Sequence, residues 1–244
     1  MLENLITHSD PQIVHAPGFD KAKPELWWKI LSKIHKIKPS KSFNDLSVIT
    51  WNNQEQGCCE KSLAMKNIKY NVLGRNIDNW NNLLKFFLIS DFCKHSKEKY
   101  CIGLDAFDVI FFGEPSICID RFIKMNKKLI FNSEKNFYPN CQSKYFQESK
   151  NHQSEKNNSL FRFLNSGAWI GYTEYCQSFF EEASRIKLWE SLDCDGHTLI
   201  KNCDQSVIHG LYKKYDLDVD VDFNCQIFQN LSHVKDEVIL SVLY

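Results

Sequence analysis

From residue 46 onward the chain alternates short β-rich apolar runs with segments whose apolar residues recur at helical spacing, and this alternation is its strongest constraint on fold. "LSVITW" (46–51), "IKYNVLG" (68–74), "KYCIGLD" (99–105), "DVIFFG" (108–113) and "KLIFNS" (128–133) read as strands, rich in β-branched and aromatic residues. Between them, "CCEKSLAMKN" (58–67), "NWNNLLKFFLISDFCKH" (79–95) and "PSICIDRFIKMN" (115–126) read as helices. Pro115 suits a first helical turn. Strands separated by helices predict an α/β domain with a mainly parallel central sheet flanked by helices. Residues 133–159 are polar and aperiodic, and predict a long, partly mobile loop.

The start of the chain differs. Prolines at 11, 17 and 24 interrupt residues 1–44, and "PELWWKILSKIHKI" (24–37) places Leu26, Trp27, Ile30, Leu31 and Ile34 at helical spacing. We expect an N-terminal extension with an amphipathic helix over 1–44, followed by one domain over 45–244. Thirty basic residues balance thirty acidic ones, which argues against a dedicated nucleic-acid binder. No run reaches the roughly 18 apolar residues of a membrane span. The ten cysteines form no C-x-x-C pair, and no basic-then-apolar leader opens the chain, so we expect a cytoplasmic protein with free thiols.

Two aspartates interrupt an apolar stretch in "CIGLDAFDVIFFG" (101–113). Asp105 ends a strand, and ligands of open α/β sheets gather at the carboxyl ends of strands. Asp108 follows after a tight turn. Two carboxylates converging on one point repel each other unless a cation lies between them. Hard divalent ions take such oxygens together with substrate phosphates. The pair therefore reads either as a metal site for a phosphorylated substrate or as a capped turn beside a solvated carboxylate.

Five blocks in order narrow the choice: "GLDAFDVIFFGEP", "KKLIFNSEKNFYPN", "RFLNSGAWIGY", "NCDQSVIHGLY" and "DFNCQIFQNL". With them the chain resembles the glycosyltransferase domain of the procollagen lysyl hydroxylase/glycosyltransferase (PLOD-like) family, over roughly 46–240. The resemblance implies a GT-A-like fold, a UDP-sugar donor, a Mn²⁺ (or Mg²⁺) ion, and transfer of glucose or galactose to the hydroxyl of an unidentified protein or glycan acceptor. Asp105 and Asp108 match the metal aspartates, and Phe107 an aromatic against the uridine. Thr50 matches a position near the uracil, and Trp80 the tryptophan of a donor-covering loop that is shorter here. Asn165, Ser166 and Gly167 match a segment beside the donor sugar, where Asn165 would bond sugar hydroxyls. Tyr138 matches an acceptor-side aromatic.

Asp204, with Gln205 after it, matches the last aspartate of an acidic run. It would contact the sugar or take the acceptor's proton; as a simpler reading it caps a helix. Asn202 and Cys203 stand where relatives often carry further acids, and Asp193 and Asp195 are nearby candidates. Lys85 reads as a solvated helix lysine before a phosphate contact. Asp218, Asp220 and Asp222 alternate at period two and read as a solvated strand face, with only Asp222 in a family block. The resemblance places a third metal ligand, a histidine, beyond "DEVIL" (236–240), where the sequence offers none before Tyr244. A non-catalytic UDP-sugar-binding module is the alternative to an active transferase.

Overall fold

The computed structural model describes residues 3–17, 40, 43–141, 143–187 and 202–232. The expected helix over 24–37, Asp193, Asp195 and the segment from His233 onward lie outside the described residues. The central sheet has six strands: β2 (Leu46–Trp51), β3 (Asn71–Leu73), β4 (Tyr100–Asp105), β6 (Leu129–Glu134), β7 (Phe163–Tyr172) and β8 (Val219–Val221). Their spatial order is β3-β2-β4-β7-β6-β8. β7 runs antiparallel to both its neighbours, while the β3–β2, β2–β4 and β6–β8 pairs are parallel. This is a mixed α/β domain of GT-A-like make-up.

Alternation along each strand builds two cores, because successive side chains leave opposite faces of a sheet. Ile49, Trp51, Cys101, Phe131 and Trp169 face one core, shared with helices α2 (Leu84–His95), α5 (Thr173–Arg185) and α6 (Asp204–Lys214). Val48, Ile102, Leu104, Ile130 and Ile170 face the other, with α1 (Cys58–Met65) and α3 (Pro115–Lys124). Gly103 lies opposite Trp169 in the β4–β7 ladder, and a Cβ on it would come within 2.2 Å of the indole. Seven of the nine described cysteines are buried, and no disulfide links any of the nine. Among the described residues no helix is long and apolar enough to cross a membrane.

Two sequence expectations change here. The polar stretch 133–159 contains a helix, α4 (Lys144–Lys156). It buries Phe146, Ser149 and Gln153, at helical spacing but mostly polar, so no apolar stripe announced it. Gln153 takes the place of a core residue by satisfying the Leu164 N–H (2.8 Å) and the His209 ring (2.9 Å). The "DVIFFG" run does form β5 (Val109–Phe111), but outside the main sheet.

β5 belongs to a second, three-stranded sheet in which β1 (Ile13–His15) lies between β5 and β9 (Phe228–Asn230). β1 is antiparallel to β5 and parallel to β9. The residues before it are anchored too: Arg121 of α3 pairs with Asp10 and bonds its carbonyl at 2.8 Å. Asp222 organises the other side. It is 1% exposed, and its carboxylate accepts from the backbone N–H groups of Gln226, Ile227 and Phe228, at 2.6–2.9 Å. The expected solvated face of Asp218, Asp220 and Asp222 therefore fails at Asp220, which accepts from Tyr212 Oη at 2.9 Å and pairs with Lys156, and at Asp222, where the chain turns and the carboxylate replaces ladder acceptors the turn removes.

Candidate active site

The carboxyl end of β4 carries Asp105, and the turn into β5 carries Asp108. The two side chains converge. Into the space beside them β1 sends His15, whose Nε2 lies 3.3 Å from Asp108 Oδ2 and 3.9 Å from Asp105 Oδ2. One ligand-type atom from each residue falls within 4.8 Å of the others. The imidazole is 2% exposed, and among the described residues its Nε2 has no hydrogen-bond partner beyond the two carboxylates it faces. A buried, orphaned nitrogen facing two carboxylates fits a divalent cation: all three atoms have lone pairs to give, and the cation would remove the repulsion between the acids.

The local charges are strongly coupled. Burial lifts Asp105 to about 6, and Asp108 adds to this, while Lys85 and His15 oppose it. Burial would also lift Asp108, but the adjacent His15 outweighs it and holds that carboxyl below the usual range. His15 is raised: burial acts against its charged form, and Asp108 followed by Asp105 overcomes it. The site attracts positive charge from every available source. Trp51 adds an indole N–H bond to Asp105 Oδ1 at 2.7 Å.

Lys85 departs from the expectation of a solvated helix lysine. It is 5% exposed rather than solvated, because the β-face residue Trp51 and the carboxylates form its pocket. Its ammonium pairs with Asp204, sits 3.9 Å from Asp105 Oδ1, and lies 5.0 Å from the Trp51 ring centroid. Its pKa is raised: burial works against the charge, and Asp204 and Asp105 prevail. Asp204 opens α6 as its first helical residue. The cap position belongs to Cys203, so the carboxylate is free to face the site, where it accepts from Ser166 Oγ at 2.5 Å.

Asn165, Ser166 and Gly167 lie inside the continuous strand β7, next to a register shift in β6 between Phe131 and Asn132. Asn165 accepts from the Gly167 N–H at 3.0 Å, and its amide nitrogen lies 3.3 Å from Glu134. Gly167 is required by closeness: a Cβ there would come within 2.3 Å of the His15 ring and 2.6 Å of Asp105 Oδ2. Gln205 accepts from the Ser166 N–H (3.2 Å) and donates to Glu134 (2.8 Å) and the Tyr138 carbonyl (3.0 Å). Tyr138 and Phe107 are both about half exposed, at 48% and 49%. Thr50 is wholly buried beneath the site. Its neighbour Trp51, not Thr50, reaches the cavity wall.

Two cavities meet at these acids. The smaller, about 310 Å³, is walled by Trp51, Trp80, Phe107 and Lys85. The larger, about 990 Å³, is walled by His15, Glu134, Tyr138, Lys150, Asn165 and Gln205, among others. Asn82, Asp105, Asp108 and Asp204 line both. His15, Glu134 and Trp51 line the walls without having been marked as site residues by any pattern in the sequence. Only the Ser-Glu ending of the "KLIFNSE" strand hinted at Glu134. Burial raises the Glu134 pKa, against the pull of the Gln205 and Asn165 bonds.

A mixed sheet flanked by helices, with paired carboxylates at the rim of a central strand and a cavity on each side, is the architecture of a GT-A-like domain. The chain belongs to the PLOD GT domain family, which matches residues 42–243, and is thus of glycosyltransferase type. It is similar to human procollagen-lysine,2-oxoglutarate 5-dioxygenase 1, at 27% identity over 233 residues, covering 88% of this chain and 29% of that protein. The mouse protein of the same name is 28% identical over 153 residues, 60% of this chain and 18% of that protein. Human procollagen-lysine,2-oxoglutarate 5-dioxygenase 2 is 30% identical over 138 residues, 56% and 16% respectively. The chain spans less than a third of the length of these relatives.

Proposed function

We propose that this protein transfers a hexose, glucose or galactose, from a UDP-sugar to the hydroxyl of a protein or glycan acceptor, with Mn²⁺ or Mg²⁺ held by Asp105 and Asp108. The observation that carries this reading is the pair of cavities sharing three aspartates. The aromatic cavity suits a nucleoside, whose base would stack on Phe107 with Trp80 beside it. The larger polar cavity suits the sugar and its acceptor.

A divalent cation would offset the negative charge that grows on the diphosphate as it leaves. The chain's own residues do the rest. Lys85 offers a buried positive charge close to where the phosphates would lie. Asn165, Ser166 and Gly167 form the wall for the sugar, with Gly167 allowing the backbone to approach. Tyr138 provides an aromatic face at the acceptor's entrance. Asp204 orients the acceptor hydroxyl and receives its proton as that oxygen bonds to the anomeric carbon and the bond to UDP breaks.

The test is release of UDP from UDP-glucose and UDP-galactose with Mn²⁺ present. Asp105→Ala is expected to abolish release, and an unchanged rate in that variant would contradict the assignment. UDP binding with Mn²⁺ but no release, across donors and acceptors, would instead establish a binding module on a transferase scaffold.

A further inference from the structure

We propose that His15, delivered by the N-terminal strand β1, is the third protein ligand of the cation that Asp105 and Asp108 hold. This rests on the metal reading above and goes beyond it: the resemblance places that ligand near the other end of the chain, after "DEVIL". The separations suit coordination. Ligand atoms at right angles around a small divalent ion are about 3 Å apart, and Nε2 is 3.3 Å from Asp108 Oδ2.

The strand holds the imidazole in place through backbone bonds on both sides. Ala16 N–H donates to the Asp108 carbonyl at 2.9 Å, so the residue after the histidine is tied to one of the acids. Leu231 N–H donates to the His15 carbonyl at 2.8 Å. Register fixes the rest, with His15 opposite Val109 on one side and Asn230 on the other. Gly167 leaves room for the ring where any side chain would collide with it.

The second ring nitrogen is also provided for. The buried Asn132 amide faces Nδ1 at 3.1 Å, with its nitrogen toward the ring and its oxygen without a partner among the described residues. A half-turn of that amide gives up the 3.4 Å bond from its nitrogen to Asn165 Oδ1 and points the oxygen at Nδ1–H. The ring then keeps its proton on Nδ1 and presents the Nε2 lone pair to the cation, as ligating histidines do when a neighbouring acceptor holds the opposite nitrogen. A nitrogen in the donor set has a further consequence. Mg²⁺ and Ca²⁺ favour all-oxygen sites, and an imidazole nitrogen suits first-row transition ions better, so His15 biases the site away from Mg²⁺.

The experiment uses the full chain, Mn²⁺ as probe, and binding rather than turnover as readout. Calorimetry gives the affinity with and without UDP, and electron spin-echo modulation of bound Mn²⁺ reports a directly bonded nitrogen. Wild-type protein is expected to bind Mn²⁺ with nitrogen modulation and to prefer it over Mg²⁺. His15→Ala should lose the modulation, weaken Mn²⁺ by about tenfold or more, and narrow the Mn²⁺/Mg²⁺ preference. If that variant does not fold, His15→Gln, which keeps the bulk, replaces it. Wild-type binding without nitrogen modulation, or unchanged affinity and modulation in the variants, overturns the His15 assignment and leaves the carboxylate site standing. No Mn²⁺ binding by wild type at all, with or without UDP, overturns both.

Discussion

Lys85→Met removes the one side-chain ammonium that the described residues place between Asp204 and Asp105 while keeping most of the apolar stem. Lys85 is 6% exposed in its side chain and Asp204 14%, so the pair is largely shielded from water. Breaking a buried pair by deleting one partner costs roughly 3–5 kcal/mol, because the remaining charge stays buried. Asp204 keeps its Ser166 bond and some contact with solvent, which argues for the lower end, about 3 kcal/mol. For a chain of this length about 2–4 °C accompanies each kcal/mol, so calorimetry of the metal-free protein should show a melting temperature lowered by about 6–12 °C. Lys85→Met with Asp204→Asn leaves neither charge unpaired, and should regain at least half of that loss. A single variant within about 2 °C of wild type, or a double variant no better than the single, would refute the claim that Lys85 neutralises this buried carboxylate.

Two other outcomes follow from the same geometry. His209 is wholly buried between Gln153 and the Tyr138 carbonyl, to which its Nε2–H donates at 2.7 Å; burial pulls its pKa down to about 4, with the Tyr138 bond and then Asp204 opposing. The unfolded chain therefore takes up this proton first, near 6.5. The His209 contribution to stability is constant above that pH and falls as pH drops from 6.5 toward 4, by about 3 kcal/mol in all. His209→Gln should flatten that part of the urea-measured profile, and a profile of unchanged slope would refute the assignment. Phe107→Ala, at an exposed ring, should leave the melting temperature within the scatter of surface substitutions. It should weaken UDP by about 1–3 kcal/mol in calorimetry; unaltered UDP affinity would remove Phe107 from the nucleoside site.

The elements with strong local signals were legible. β2, β4 and β6 lie where β-branched apolar runs stand, and α3 begins at Pro115 as its position suggested. The acidic pair was legible because strand end and turn are themselves local patterns. Helix α4 was not: its buried face is one phenylalanine, a serine and a glutamine, and Gln153 belongs inside only because Leu164 and His209 need its amide.

Sequence by itself therefore determined the order of strands and helices from β2 to β6, the alternation of faces along those strands and the pair of carboxylates at the sheet's rim. Tertiary structure alone decided what surrounds that pair. His15 meets Asn132 across 117 residues of chain, and Lys85 meets an aspartate on another helix. Neither residue has a local pattern to mark it, since a lone histidine in a short apolar strand and a lysine on an amphipathic helix are ordinary. Their roles arise when the fold removes water from around them and leaves carboxylates as the neighbours they face.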